Sequence, residues 1–140
     1  MDIQLSEHFW LSEFTVSQRA TRLGIDNQPS KEVLQNLAFT ANKMEVVREL
    51  LGGYPITPSS VYRSPELNEK TPGSSPTSAH MTGFAVDFAC PRFGTPREVW
   101  DYLAFSLDLE FDQLILEFNG WVHISFDPRN RGQVFTIGCE

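Results

Sequence analysis

The chain has 140 residues, 41% of them hydrophobic and 21% charged, with a formal net charge of −7. That balance fits one globular domain over residues 1–140, long enough to bury a core without disulfides, and argues against a disordered chain. It also argues against two partner classes: with no Lys/Arg stripe there is no source of affinity for a nucleic-acid backbone or an anionic membrane surface, and no run approaches the roughly 20 apolar residues of a membrane span.

The first residues, "MDIQLSEHFWLSEF", lack a basic stretch followed by an apolar run. The expectation is a product made in the cytoplasm without a signal peptide. Next, "TVSQRATRLG" reads as a short helix closed by Gly24. A longer helix follows: Val33, Leu34, Leu37, Ala38, Ala41, Met44, Val47, Leu50 and Leu51 fall at helical spacing, Ser30 suits the N-cap and Gly52-Gly53 stops it. The segment "YPITPSSVYRSPELNEKTPGSSPTSA" starts extended and ends in a Ser/Pro/Gly-rich run with no regular structure. A loop of that length is often functional, and it leads directly into His80.

After a candidate strand, "AVDF", Thr95, Pro96 and Glu98 form a capping box with proline at the first helical position. The apolar face of that helix reads Val99, Trp100, Leu103 and Leu107. Then "FDQLILEF", Asn119-Gly120 and "WVHISF" give a hairpin signal. The fold class is α+β, an antiparallel sheet packed against N-terminal and central helices. Cys90 and Cys139 show no metal or redox spacing and read as two buried or partly buried thiols, which could pair only if the C-terminal tail folds back beside Cys90.

Asp87 stands between Val86 and Phe88, where a carboxylate is costly to desolvate unless something positive lies against it. Gly83 lets the chain turn so that Asp87 can return beside His80. In "WVHISF", Val122, Ile124 and Phe126 alternate with Trp121, His123 and Ser125, so that His123 faces away from the core toward a cleft. Two imidazoles and a carboxylate make a zinc triad with a fourth position open, the arrangement of a catalytic site. A lone histidine in a sheet is more often a hydrogen-bonded packing residue, and spacing alone leaves both readings open. His8 is read as a surface or packing residue.

The string Ser78-x-His80-x-x-Gly83-x-Ala85-x-Asp87, followed by Trp121-x-His123, resembles the zinc signature of the D-alanyl-D-alanine carboxypeptidase family. These peptidoglycan peptidases share a superfamily with lysostaphin-type enzymes and hedgehog signalling domains. The resemblance extends over "FTVSQRATRLGIDNQP", "QNLAFTANKMEVVRELLG", "ITPSSVYRSPELNE" and "FDQLILEFNGWVHISF", in the order of the short phage and bacterial members. It implies a hedgehog/DD-peptidase-like sheet carrying Zn2+ on His80, Asp87 and His123. It also implies Arg63 on a substrate carboxylate or the oxyanion, Glu117 as general base, and Ser78, Gln113 and Trp121 along the cleft.

By residue pattern alone, Glu117 is a solvated strand carboxylate and Arg63 a surface arginine paired with Glu66 or Glu69. The hairpin register decides for Glu117. A two-residue turn at Asn119-Gly120 would pair it with Val122 and point it away from His123, whereas a three-residue loop with Gly120 as a left-handed bulge would pair it with Trp121 on the His123 face. Asp112 and Asp127 are weaker candidates for the base.

The implied activity is a zinc metallopeptidase acting on peptidoglycan stem peptides, as a D-Ala-D-Ala carboxypeptidase or an L-Ala-D-Glu endopeptidase of endolysin type. Such a protein, expected as a monomer, would reach the wall after release or as part of a virion. Competing readings are a non-catalytic zinc module that binds peptide, a phage structural protein, and a cytoplasmic D,D-dipeptidase.

Overall fold

The computed structural model describes residues 2–139. Two short helices, α1 (Leu11–Thr15) and α2 (Gln18–Leu23), precede the long α3 (Lys31–Leu50). As expected, Gly24 ends α2 in the left-handed conformation, and the Ser30 hydroxyl caps α3 by accepting from the Val33 amide. The face of α3 that carries Leu37, Ala41, Met44 and Val47 is buried, and Leu51 continues it past the helix end.

Then come β1 (Thr57–Ser60) and a helix that the sequence reading passed over, α4 (Pro65–Glu69). Its signals are plain in hindsight: the Ser64 hydroxyl accepts from the Leu67 amide and Pro65 occupies the first turn. Residues 71–78 carry neither helix nor strand, in line with the Ser/Pro/Gly composition.

Strand β2 (Ala85–Ala89) leads to α5 (Pro96–Ala104), where Thr95 and Glu98 complete the expected capping box. This helix is shorter than the apolar pattern suggested. It ends at Ala104, and Leu107 is 99% exposed instead of belonging to the buried face with Val99 and Leu103. Beyond the helix nothing keeps the 3.6-residue period in phase with the core.

The sheet has the order β1-β2-β4-β3-β5, with β3 (Gln113–Glu117), β4 (Trp121–Ser125) and β5 (Gln133–Ile137). Its first four strands are antiparallel, but β5 runs parallel to β3, so the wholly antiparallel sheet expected from sequence is corrected to a mostly antiparallel one. The run "QVFTI", bounded by Gly132 and Gly138, was the overlooked strand signal.

One side of the sheet, with Val86, Phe88, Leu114, Val122 and Ile124, joins α3 and α5 in a continuous hydrophobic cluster. Cutting such a fully buried leucine or methionine to alanine costs about 2–5 kcal/mol. The helices thereby fix the sheet, and its other side is free to carry chemistry.

Candidate metal centre

Alternation places the site. Antiparallel register sets Asp87 of β2 opposite His123 of β4, and His123 opposite Ile115 of β3. Val122, Ile124 and Phe126 are buried in the core as expected, which sends His123 to the opposite, cleft side.

His80 arrives from a turn rather than from a strand. Gly83, at φ 84°, reverses the chain before β2, and the buried Thr40 hydroxyl of α3 donates to the Gly83 carbonyl at 2.6 Å. The Asn36 side chain donates to the neighbouring Thr82 carbonyl. This turn brings His80 Nε2 to 3.3 Å from Asp87 Oδ1, while His123 Nδ1 lies 2.9 Å from the same oxygen.

Ligand atoms of His80, Asp87 and His123 all lie within 4.8 Å of one another. His80 Nδ1 is 2.6 Å from the Val61 carbonyl, which fixes Nε2 as the nitrogen facing the cluster. Burial pushes the Asp87 carboxyl up, but the two neighbouring histidines outweigh it and hold the group well below the ordinary carboxylate range. Two imidazole nitrogens and one charged oxygen, gathered on a largely buried floor, are a donor set suited to zinc. The residues therefore fit the metal.

Glu117 pairs with Trp121, the register that puts it on the His123 face. The turn that achieves this differs from expectation. Phe118 and Asn119, rather than Gly120, take positive φ at 56° and 53°, and the Gly120 amide donates to the Glu117 carbonyl. The backbone thus follows the mirror-image sense of a hairpin turn, whose twist matches the strands. Glu117 Oε2 accepts from the Trp121 indole at 2.9 Å and stands 4.0 Å from His123 Nδ1.

Arg63 faces the cleft and forms no ion pair with Glu66 or Glu69. One guanidinium nitrogen donates to the Ser78 hydroxyl at 3.1 Å, and Nε is buried with no partner among the described residues. Burial pulls the guanidinium below its ordinary value, opposed by the charges of Asp87 and Glu117. It stays a cation. The Ser78 hydroxyl also accepts from the His80 amide, so one side chain joins Arg63 to the metal cluster.

Behind Arg63, buried Asn27 is a residue the sequence reading missed. Its side chain donates to the Thr15 and Tyr62 carbonyls and accepts from the Ser64 amide, gripping the chain on both sides of Arg63. Nothing in the local pattern announces it, because all three partners are distant in sequence.

Gln113 lines the cleft but is held by Gln133 at 2.9 Å. Asp112 is clamped by Arg131 through two 2.8 Å contacts and Asp127 is bound by Arg129, so neither is placed to act as a base. His8 pairs with Glu45 at the surface. Both cysteines are free: Cys90 Sγ lies by the Pro55 carbonyl and Cys139 Sγ by the Leu116 carbonyl.

His80, Asp87 and His123, together with Arg63, Ser78, Gln113, Glu117 and Trp121, all border one cleft of about 710 Å³. Comparison with curated proteins finds no match. A family model described as Peptidase M15 matches residues 7–125, a range that runs from before α1 to the end of β4 and contains His80, Asp87 and His123. With that match over most of its length, the chain belongs to the M15 family of zinc peptidases, in the superfamily of the D-alanyl-D-alanine carboxypeptidases.

Proposed function

We propose that this metallopeptidase is a single catalytic domain with the hedgehog/DD-peptidase-like fold, and that it hydrolyses stem peptides of bacterial peptidoglycan with His80, Asp87 and His123 as its zinc ligands. The observation that carries this reading is the shared placement of the His/Asp/His cluster, Glu117 and Arg63 in one cleft. Zinc held there would supply Lewis-acid polarisation of the scissile carbonyl and of water.

The chain's own residues do the rest. Glu117 takes a proton from the attacking water and hands it to the departing amine, working through Oε1 because Oε2 is engaged by the Trp121 indole. The indole fixes the carboxylate over His123. Arg63, with its unpartnered Nε, holds a substrate carboxylate or the developing oxyanion through a planar fork. Ser78 ties that arginine to the His80 backbone, so the anion site and the metal site keep their spacing.

Both D-Ala-D-Ala and L-Ala-D-Glu bonds offer a carboxylate near the cut, and both remain within this proposal, as does an endolysin-type role after release. The test is digestion of purified peptidoglycan followed by mass spectrometry of new peptide termini, with a chelator-treated control. Metal-dependent cleavage is expected, and the products name the bond. Intact peptidoglycan beside a chain carrying one zinc would reject the enzyme in favour of a zinc-containing binding module.

A further inference from the structure

The cleft does not end at Arg63. A second groove, of about 450 Å³, opens beside that residue, and Arg63, Thr71 and Asp87 border both spaces. Register explains how they join. Strand β1 bulges between Pro58 and Ser60, which sets Ser60 opposite Asp87, and Asp87 in turn stands opposite His123. Side chains directly opposite in an antiparallel pair share a face, so Ser60 carries the row of His123 and Asp87 on to the β1 edge of the sheet.

The groove is polar and cationic. Ser59 and Ser60 border it from β1, and Arg19 reaches it from α2. Arg19 Nη1 donates to the Lys70 carbonyl at 3.3 Å, which anchors the side chain at the end of α4, and it pairs with no carboxylate among the described residues. Asp87, already held by His80 and His123, is the one acid on this lining among the described residues. On a chain of net charge −7, two arginines gathered around a groove with no other facing acid select an anionic occupant.

That occupant distinguishes two leaving groups. A chain-terminal carboxylate, as in D-Ala-D-Ala, ends on Arg63 and leaves the groove empty. In a stem peptide the D-glutamate is joined to its successor through the γ-carboxyl, so its α-carboxylate is free beside the scissile bond while the chain continues. Such a residue gives Arg63 its anion and still sends peptide onward. One strand spacing, about 4.8 Å, separates Ser60 from Asp87, little more than one extended residue at about 3.3–3.6 Å. The second leaving residue therefore passes Ser60 and comes beside Arg19.

We propose that this groove is the leaving-side subsite, that Arg19 receives a carboxylate on the second leaving residue, and that the enzyme is an endopeptidase cutting between L-Ala and γ-linked D-Glu rather than a carboxypeptidase. The assignment rests on the peptidase reading above. Water adds across the Ala–Glu amide: the alanine carbonyl becomes a carboxylate, and the glutamate nitrogen departs as an amine with the proton carried by Glu117. Arg19 touches substrate away from the reacting atoms, so its signature is selectivity.

Four acetylated peptides test this, with kcat/KM as the readout. One is L-Ala-γ-D-Glu followed by diaminopimelate, amidated at its α-carboxyl so that the distal carboxylate stays free. The second has amidated Lys in that place, the third is L-Ala-D-Gln, which keeps the free α-carboxylate and ends there, and the fourth is L-Lys-D-Ala-D-Ala. Wild type is expected to favour diaminopimelate over Lys about fivefold, the upper end of a solvent-accessible ion pair. The third and fourth peptides should fall at least about tenfold below the first, because they leave the groove's binding energy unused. Arg19→Gln should bring the diaminopimelate/Lys ratio close to one with L-Ala-D-Gln cut at an unchanged rate, and Arg19→Lys should retain most of the preference. Cleavage of D-Ala-D-Ala as fast as the first peptide, an unchanged ratio in Arg19→Gln, or an equal fall on all four peptides overturns the proposal. If wild type cuts none of them, the peptidase reading fails and the endopeptidase assignment falls with it, and calorimetric titration with the same peptides decides the groove separately. Tighter binding of the diaminopimelate peptide that is lost in Arg19→Gln supports the subsite, and equal affinities for the first three peptides overturn it.

Discussion

Asp87, Glu117 and Asp112 are three cleft-side carboxylates with three different surroundings. Asp87 sits between imidazoles, Glu117 beside an indole donor, and Asp112 in an arginine clamp. Separate consequences follow. His80→Ala should abolish stoichiometric zinc binding, measured by metal content after dialysis. Glu117→Gln should keep the zinc and lower kcat by about 10²–10⁴, the usual worth of a positioned general base; near-normal turnover in that variant would remove Glu117 from the mechanism. Asp112 carries a pH prediction. Its hydrogen bonds from Arg131 outweigh burial and hold its carboxyl below the ordinary value. A lowered folded-state pKa contributes stability that is full above the unfolded value, about 3.9, and is lost as pH falls through the folded value. Asp112→Asn should therefore cost about 2 kcal/mol at pH 7. Urea unfolding of both proteins should show the gap closing below about pH 4.

At the scale of elements, the turn that carries His80 depends on Gly83. A β-carbon there would sit 3.1 Å from Leu37 Cγ and 3.2 Å from the Val33 carbonyl, on a backbone at φ 84°. Gly83→Ala should destabilise the fold by about 1–2 kcal/mol from the left-handed conformation alone, with crowding against α3 added. The urea midpoint reads the loss, and zinc affinity should weaken with it because His80 moves. The three elements missed from sequence share a cause. Helices α1 and α4 have five residues each and β5 is exposed along its whole length, so none shows the apolar periodicity that marked α3 and α5. Short or solvated elements are held by caps and partners, and their partners lie elsewhere in the chain.

Over the whole molecule, the helices and the core side of the sheet form a scaffold, and metal binding should be coupled to its stability. A ligand present at one hundred times its Kd and bound only by the folded state adds about 2.7 kcal/mol. Thermal melts should show Tm rising with zinc and falling with a chelator, and His123→Ala should melt at one temperature in both. A zinc response that survives in that variant would place the metal elsewhere.

Much of this protein was legible in its residues. Capping signals announced α5, apolar periodicity announced α3, and alternation in "WVHISF" sent His123 away from the core. The costly position of Asp87 in an apolar strand asked for a positive partner. These readings rest on local rules, where the chemistry of each residue and the spacing of its neighbours carry the information. Other features were decided only in three dimensions. The parallel pairing of β5, the Asn27 bonds that hold the chain around Arg63, and the bond of Arg63 to Ser78 all join residues distant in sequence. The hairpin register of Glu117 was open between two turns of nearly equal length. The structure resolves it through left-handed residues at Phe118 and Asn119, with Phe118 seated on Gly138. Such choices depend on which surfaces meet after the core has closed, and no local pattern encodes that contact.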